Sequence, residues 1–197
     1  MNIAIITGAS SGLGREYLHQ LSLTEKFDKI WAIARRKERL EELVMTYGDK
    51  IRPLALDLTK TDDLKKIDVL LKGEKPNVSM LINAAGFGKM GPTTAIPISV
   101  YNAMIDLNCR GAVDMTSMVI PYMQKGAHIL EICSSAGFAP IPQLNVYAAT
   151  KAFLLNYSKA LHYELKEQGI LVTAVCPYWV QDTEFIPHAF SEAISNL

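Results

Sequence analysis

Short, mainly apolar runs alternate with longer amphipathic stretches along nearly the whole chain, and this alternation constrains the fold more than any single residue. The runs Asn2-Ile3-Ala4-Ile5-Ile6, Val78-Ser79-Met80-Leu81-Ile82 and Ile170-Leu171-Val172-Thr173-Ala174-Val175 are continuous and do not alternate strictly between apolar and polar residues. A strand of that kind is buried on both faces, as in a parallel sheet covered by helices on each side. Strands are predicted near 2–6, 29–34, 51–56, 78–83, 127–132 and 170–176, with helices near 12–24, 37–47, 60–72, 99–124 and 146–168. Strand–helix alternation with right-handed crossovers gives an α/β, doubly wound, mostly parallel sheet with helices on both faces. At 197 residues, 49% of them hydrophobic, and with no repeat or linker, the chain is expected to form a single domain over 1–197.

Charge and cysteine content narrow the function classes. Twenty basic and twenty acidic side chains cancel, without a basic stripe, so neither nucleic acid nor a membrane surface is an expected partner. The longest mainly apolar segment, Gly169 to Val180, is shorter than the ~20 residues of a membrane span. Cys109, Cys133 and Cys176 are odd in number and far apart, as expected of buried thiols in a reducing compartment, and no metal is expected. Met1 leads directly into the first apolar run with no room for a signal peptide, so a cytoplasmic location is expected.

Two local patterns carry chemistry. After the first strand, Thr7-Gly8-Ala9-Ser10-Ser11-Gly12-Leu13-Gly14 leads into a helix-like segment, the strand, turn and helix context of a dinucleotide fingerprint. Glycines let the backbone approach a pyrophosphate, and the helix N-terminus offers it free N–H groups. Farther on, Tyr147 and Lys151 lie four residues apart at the start of a predicted helix, which puts phenol and ammonium on one face. At ~5 Å and an effective dielectric of ~20, the cation would favour phenolate by roughly 3 kcal/mol, about two pKa units. Such a pair is a general acid/base suited to neutral pH.

These motifs, in their order, resemble those of the short-chain dehydrogenase/reductase family in its compact, Rossmann-like form. The resemblance covers essentially the whole sequence. It implies cofactor contacts from Thr7, Gly8, Ser10, Ser11, Gly12, Leu13 and Gly14, from Asp57 with Leu58, from the Asn83-Ala84-Ala85-Gly86 motif, and from Pro177 and Val180. It implies a catalytic set of Ser134, Tyr147, Lys151 and Asn108, with Lys151 also holding the nicotinamide ribose and Asn108 kinking the fifth helix. Ser134 is chosen over its neighbour Ser135 because the family's serine stands thirteen residues before the tyrosine. The activity implied is hydride transfer between a nicotinamide cofactor and a carbonyl or secondary alcohol, in a homodimer or homotetramer.

The second strand ends Ala34-Arg35-Arg36, with alanine where NAD-preferring members carry an acid, so NADP(H) is expected over NAD(H). Arg35 is taken as the first 2′-phosphate contact and Arg36 as a second. Phe87, Phe138, Tyr178 and Trp179, with Met90 and Phe185, are candidates to ring an apolar or aromatic substrate. His162 and His188 are read as surface or packing residues. Met104, Met115, Met118 and Met123 along the fifth helix are read as core or as a seam between copies. Two departures from the family pattern stand out. Tyr178 replaces a glycine after Pro177, and the sequence ends at Leu197, before a further helix and seventh strand would follow the expected substrate loop at about 177–197. Two other readings stay open: a non-catalytic NADP(H)-binding sensor or scaffold on the same fold, and an epimerase or dehydratase relative.

Overall fold

The computed structural model describes residues 1–180 and 183–190; of the expected substrate loop, 181–182 and 191–197 lie outside the described residues. The elements are β1 (Asn2–Thr7), α1 (Gly12–Ser22), β2 (Lys29–Ala34), α2 (Lys37–Tyr47), β3 (Ile51–Ala55), α3 (Thr61–Glu74), β4 (Asn77–Asn83), α4 (Ile98–Ile105), α5 (Ala112–Val119), β5 (His128–Ile132), α6 (Asn145–Leu165), β6 (Leu171–Val175) and α7 (Phe185–Phe190). The strands form one sheet in the order β3-β2-β1-β4-β5-β6. Every pairing is parallel. This is the doubly wound, Rossmann-like arrangement, whose strand order reverses between β1 and β4.

The continuous apolar runs explain themselves in the packing. Ile3 and Ile5 of β1 join Trp31, Ile67, Leu81, Met115 and Val119 on one face of the sheet. Ala4 and Ile6, one residue out of phase, join Leu18, Ala32, Leu40 and Leu43 on the other. Both faces of β1 are thus core, and a polar residue at any of these four positions would meet apolar neighbours. Pro53 sits in β3, an edge strand, where its missing N–H removes no ladder bond that a central strand would need.

The helix expected over 99–124 is divided. Between α4 and α5 the backbone opens into a π segment, Asp106–Gly111, and after α5 it tightens into a 3₁₀ turn, Ile120–Tyr122, with Pro121 in it. Asn108 lies inside the π segment, fully buried, with its amide turned to Phe87 and Thr150. The helix expected to run to 168 ends as α6 at Leu165, ahead of Gly169, whose φ of 70° no helix continues. The short α7 is an element the periodicity did not predict.

A polar cluster is enclosed where β4 and β5 end. Asn83 and Glu131 are register partners, and Asn83 Nδ2 donates to Glu131 Oε1 at 2.8 Å and to Thr116 Oγ1 at 2.8 Å. Thr116 donates to the same carboxyl oxygen at 2.9 Å, while Glu131 Oε2 and Asn83 Oδ1 have no partner. Burial pushes the Glu131 carboxyl up to about 7, against the lowering effect of the Asn83 and Thr116 hydrogen bonds and of the Lys151 charge. Because the folded carboxyl keeps its proton to higher pH than the unfolded one, the native state binds the extra proton and loses stability as pH rises from the ordinary 4.5 of a glutamate through about 7. Glu131→Gln is expected to unfold at higher temperature than the parent chain at pH 8, by up to ~3 kcal/mol in stability. The gap should close toward pH 4 in urea or thermal titrations; a difference independent of pH would remove Glu131 as the titrating group.

Candidate active site

A cleft of about 860 Å³ opens above the carboxyl ends of β1 and β4. Its floor is the Gly-rich turn. Gly8 has a φ of +68°, and a Cβ there would come within 2.8 Å of the Ala85 nitrogen. A Cβ on Gly14 would lie 2.4 Å from the Gly8 oxygen, so only glycine lets α1 start this close to the strand. Thr7 Oγ1 accepts from the N–H groups of Ala84 and Ala85, both at 3.1 Å, which ties the turn after β1 to the turn after β4. Ser11 stands at the N-cap of α1 in extended backbone, yet its side chain caps no N–H and the first turn has no acid. Among the described residues the N–H groups of that turn have no side-chain cap, and Gly12, Leu13 and Gly14 line the cleft, the arrangement that receives a pyrophosphate.

The catalytic candidates meet at the other end of the cleft. Tyr147 and Lys151 on α6 are both buried, with the Lys151 Nζ 5.7 Å from the centre of the phenol ring. Lys151 donates to the Ile132 carbonyl at the end of β5 at 2.6 Å, which pins α6 to the sheet. Ser134 Oγ accepts from Ala136 N at 3.1 Å and also contacts the Tyr147 phenol, so of the two adjacent serines it is Ser134 that reaches the tyrosine. Ser135 instead uses its backbone N–H on the Pro177 carbonyl at 2.9 Å. Asn108 accepts from Phe87 N at 3.0 Å and donates to Phe87 O at 2.9 Å and Thr150 Oγ1 at 3.1 Å. One of its acceptor sites is left over.

Electrostatics depart from the simple pair estimate. Burial raises the Tyr147 phenol above its ordinary value, only partly offset by the Ser134 contact. Burial also lowers Lys151, against the opposing influence of Cys133 and Glu131. Desolvation is thus the largest influence on both groups, and the expected depression of the phenol by Lys151 is not what these surroundings produce. Cys133 is pushed up to about 11, chiefly by burial, and stays a thiol.

Most of the residues singled out from sequence line this one cleft. They are Gly8, Ser10, Ser11, Gly12, Leu13 and Gly14, Arg35 and Arg36, Asp57 and Leu58, Ala84 to Phe87, Ser134, Tyr147, Lys151, and Pro177 to Val180. Thr7, Asn83 and Asn108 are buried behind its wall. Asn83 spends its Nδ2 on Glu131 and Thr116, behind the wall of the cleft. Asp57 holds its own turn through Thr59 N at 2.9 Å and Thr59 Oγ1 at 2.8 Å. Phe138 is 65% exposed and lies outside the lining, and Met90 packs in the cluster under Tyr147. Tyr178 adopts no left-handed backbone, so the turn there does not need the glycine's freedom.

Phe185 of α7, a candidate from sequence, packs on the Tyr147 ring, with centroids 5.1 Å apart. Other parts of the site were missed. His188, read as packing, lines the cleft, as do Ile141 and Leu144. Arg35 is exposed, whereas Arg36 is anchored by Ser10 Oγ, at 3.3 Å from Nε and 3.2 Å from Nη2, and by Glu184 at 2.8 Å. Arg39 pairs with the other oxygen of Glu184. Glu184 is 148 residues from Arg36 in sequence, and no local pattern could have linked them.

A family model for short chain dehydrogenase matches residues 2–193. The chain belongs to the short-chain dehydrogenase family. It is 32% identical over 188 residues to the very-long-chain 3-oxoacyl-CoA reductase of Bos taurus, a match covering 90% of this chain and 59% of that protein's length. It is 35% identical over 190 residues to the NADP-dependent 3-hydroxy acid dehydrogenase YdfG of Escherichia coli, covering 93% of this chain and 74% of the relative. Among solved structures, a short-chain dehydrogenase from Sphingobium yanoikuyae in complex with NADPH superposes with a TM-score of 0.87 at 31% identity, covering 96% of this chain and 75% of that one. Among the described residues of this chain, no cluster of His, Cys, Asp and Glu could hold a metal ion, and no helix is long and apolar enough to cross a membrane. Gly8→Ala is expected to lower dinucleotide affinity at least tenfold, since the new methyl meets backbone at 2.8 Å and the φ is unfavourable. Calorimetric titration checks this, and an unchanged affinity would place the nucleotide elsewhere.

Proposed function

We propose that this chain is an oxidoreductase, one catalytic domain transferring hydride between NADP(H) and a carbonyl compound or secondary alcohol. The observation that carries the reading is the meeting, in one cleft, of a pyrophosphate-type glycine turn with a buried Tyr147 touched by Ser134 and backed by Lys151. The cradle fits the cofactor: Gly8 and Gly14 leave room that a Cβ would fill, and the N-terminus of α1 is uncapped by side chains. In this reading the turn from Thr7 to Gly14 and residues Ala84 to Gly86 hold the dinucleotide, Asp57 and Leu58 border the adenine, and Pro177 and Val180 border the nicotinamide end. Arg35 and Arg36 face the 2′-phosphate, with Arg36 the better placed because Ser10 already orients it. When bound, NADPH supplies the hydride.

The chain's own residues supply position and a proton. Ser134 Oγ hydrogen-bonds the substrate oxygen beside the Tyr147 hydroxyl. Because burial keeps the phenol protonated through the neutral range, Tyr147 donates its proton to that oxygen as negative charge develops there. Lys151, fixed to the Ile132 carbonyl, sets the position of the tyrosine and holds the ribose beside it. Asn108 clamps the Phe87 backbone and keeps an acceptor for a relay water. Phe87, Tyr178, Trp179 and Phe185 line the cleft, which supports an apolar or aromatic substrate. The outer face of α6 supports pairing of copies, since Phe153 is exposed and stacks at 6.2 Å on Tyr157.

NADPH absorbance followed across a panel of aromatic and aliphatic carbonyls tests the reading. Turnover is expected in the parent chain and a loss of at least ~100-fold in Tyr147→Phe, the range that removing a general acid produces; turnover surviving in that variant would overturn the assignment. The pH profile has a fixed sign. Reduction needs the protonated phenol, so its rate should stay level through neutral pH and fall only in alkali, as pH passes a phenol held above 10.0. Oxidation of the matching alcohol needs the phenolate and should rise over the same interval. Arg36→Asp should move the ratio of kcat/KM values toward NADH by roughly tenfold or more.

A further inference from the structure

Glu184, just before α7, reaches across the mouth of the cleft and places one carboxylate oxygen on each of two guanidiniums. Arg36 Nη1 donates to Oε2 at 2.8 Å, and Arg39 Nη1 donates to Oε1. Arg36 also donates through Nε and Nη2 to Ser10 Oγ, in the Gly-rich turn. Two cations with fork geometry, joined to a hydroxyl at the end of β2, form a site for a tetrahedral oxyanion. Here the chain's own carboxylate fills it. Burial of Glu184 favours the neutral acid, but the hydrogen bonds and charges of Arg36 and Arg39 together outweigh it and keep the group ionised. The side chains of all three residues are between 35% and 40% exposed, so water screens the contact and a doubly charged ligand can displace the carboxylate.

We propose that Glu184 is a specificity-determining residue, whose carboxylate competes with the 2′-phosphate of NADP(H) for Arg36 and Arg39 and thereby limits the preference for NADP(H) over NAD(H). The inference rests on the NADP(H) reading above. A 2′-hydroxyl carries no charge and does not contest the guanidiniums, so the carboxylate acts against one cofactor only. In the ligand-free site it offsets one of the two positive charges and sets the discrimination below what two free arginines would give.

The test uses the full chain and two fragments that report on this corner without turnover, adenosine 2′,5′-bisphosphate and adenosine 5′-phosphate, titrated by calorimetry. The parent chain is expected to bind the bisphosphate more tightly than the monophosphate. Glu184→Gln should tighten the bisphosphate roughly three- to tenfold, the range expected when two exposed ion pairs no longer oppose it. The monophosphate should change less than about twofold, since it contests neither pair. Glu184→Ala must show the same selective gain. If the parent prefers the bisphosphate but neither variant gains, Glu184 is no competitor and the NADP(H) reading stands without it. If no chain prefers the bisphosphate, both fall.

Discussion

Side by side in a parallel sheet, β1 and β4 send the chain away in opposite directions, and the site is built in the gap this leaves. The segment after β1 turns into α1 on the face carrying Ala4 and Ile6, while the chain after β4 returns through α5 over the face carrying Ile3 and Ile5. The two departing backbones would drift apart without a tie. Thr7 supplies it, one hydroxyl accepting from two consecutive N–H groups across the gap, and Gly8 lets the turns approach to that distance. Everything proposed for cofactor binding depends on the width so fixed.

Burial rather than pairwise charge governs the acid–base character of the interior. Tyr147, Lys151 and Glu131 are each moved by desolvation toward the neutral form, and their neighbours only moderate the effect. The Tyr147 phenol therefore keeps its proton through the neutral range. Lys151 is held by its hydrogen bond to the sheet, which fixes its ammonium beside the Tyr147 ring.

The sheet could be read from sequence because strands buried on both faces leave unbroken apolar runs, which no surface strand or helix imitates at that length. The glycine turn could be read because its residues are contiguous. Side-chain direction was harder, although the information was present for Asn83: it shares parity with Leu81 along β4, and Leu81 faces the α5 side. Alternation alone would have turned its amide toward Thr116 and away from the cleft. Arg36 and Arg39, three apart on the first turn of α2, could likewise have been grouped. Glu184 could not, because only the folded chain brings the segment before α7 to the end of β2. Hydrophobic spacing around the π segment fits an ordinary helix, so only the family resemblance, which implies a kink at Asn108, pointed to it; the widening is fixed by tertiary bonds from Asn108.

That widened turn divides the labour of one rod. Each residue of an α-helix advances by about 100°, so a single extra residue in a turn rotates all that follows relative to what came before. Met104, ahead of the π segment, packs in the cluster beneath Tyr147, whereas Met115 and Val119, beyond it, pack on the sheet. Trimming one residue between them would restore regular winding at the expense of swinging Met115 and Val119 off the strands or withdrawing Met104 from the tyrosine. The spare residue is what lets the helix serve the hydrophobic floor and the chemistry above it at once.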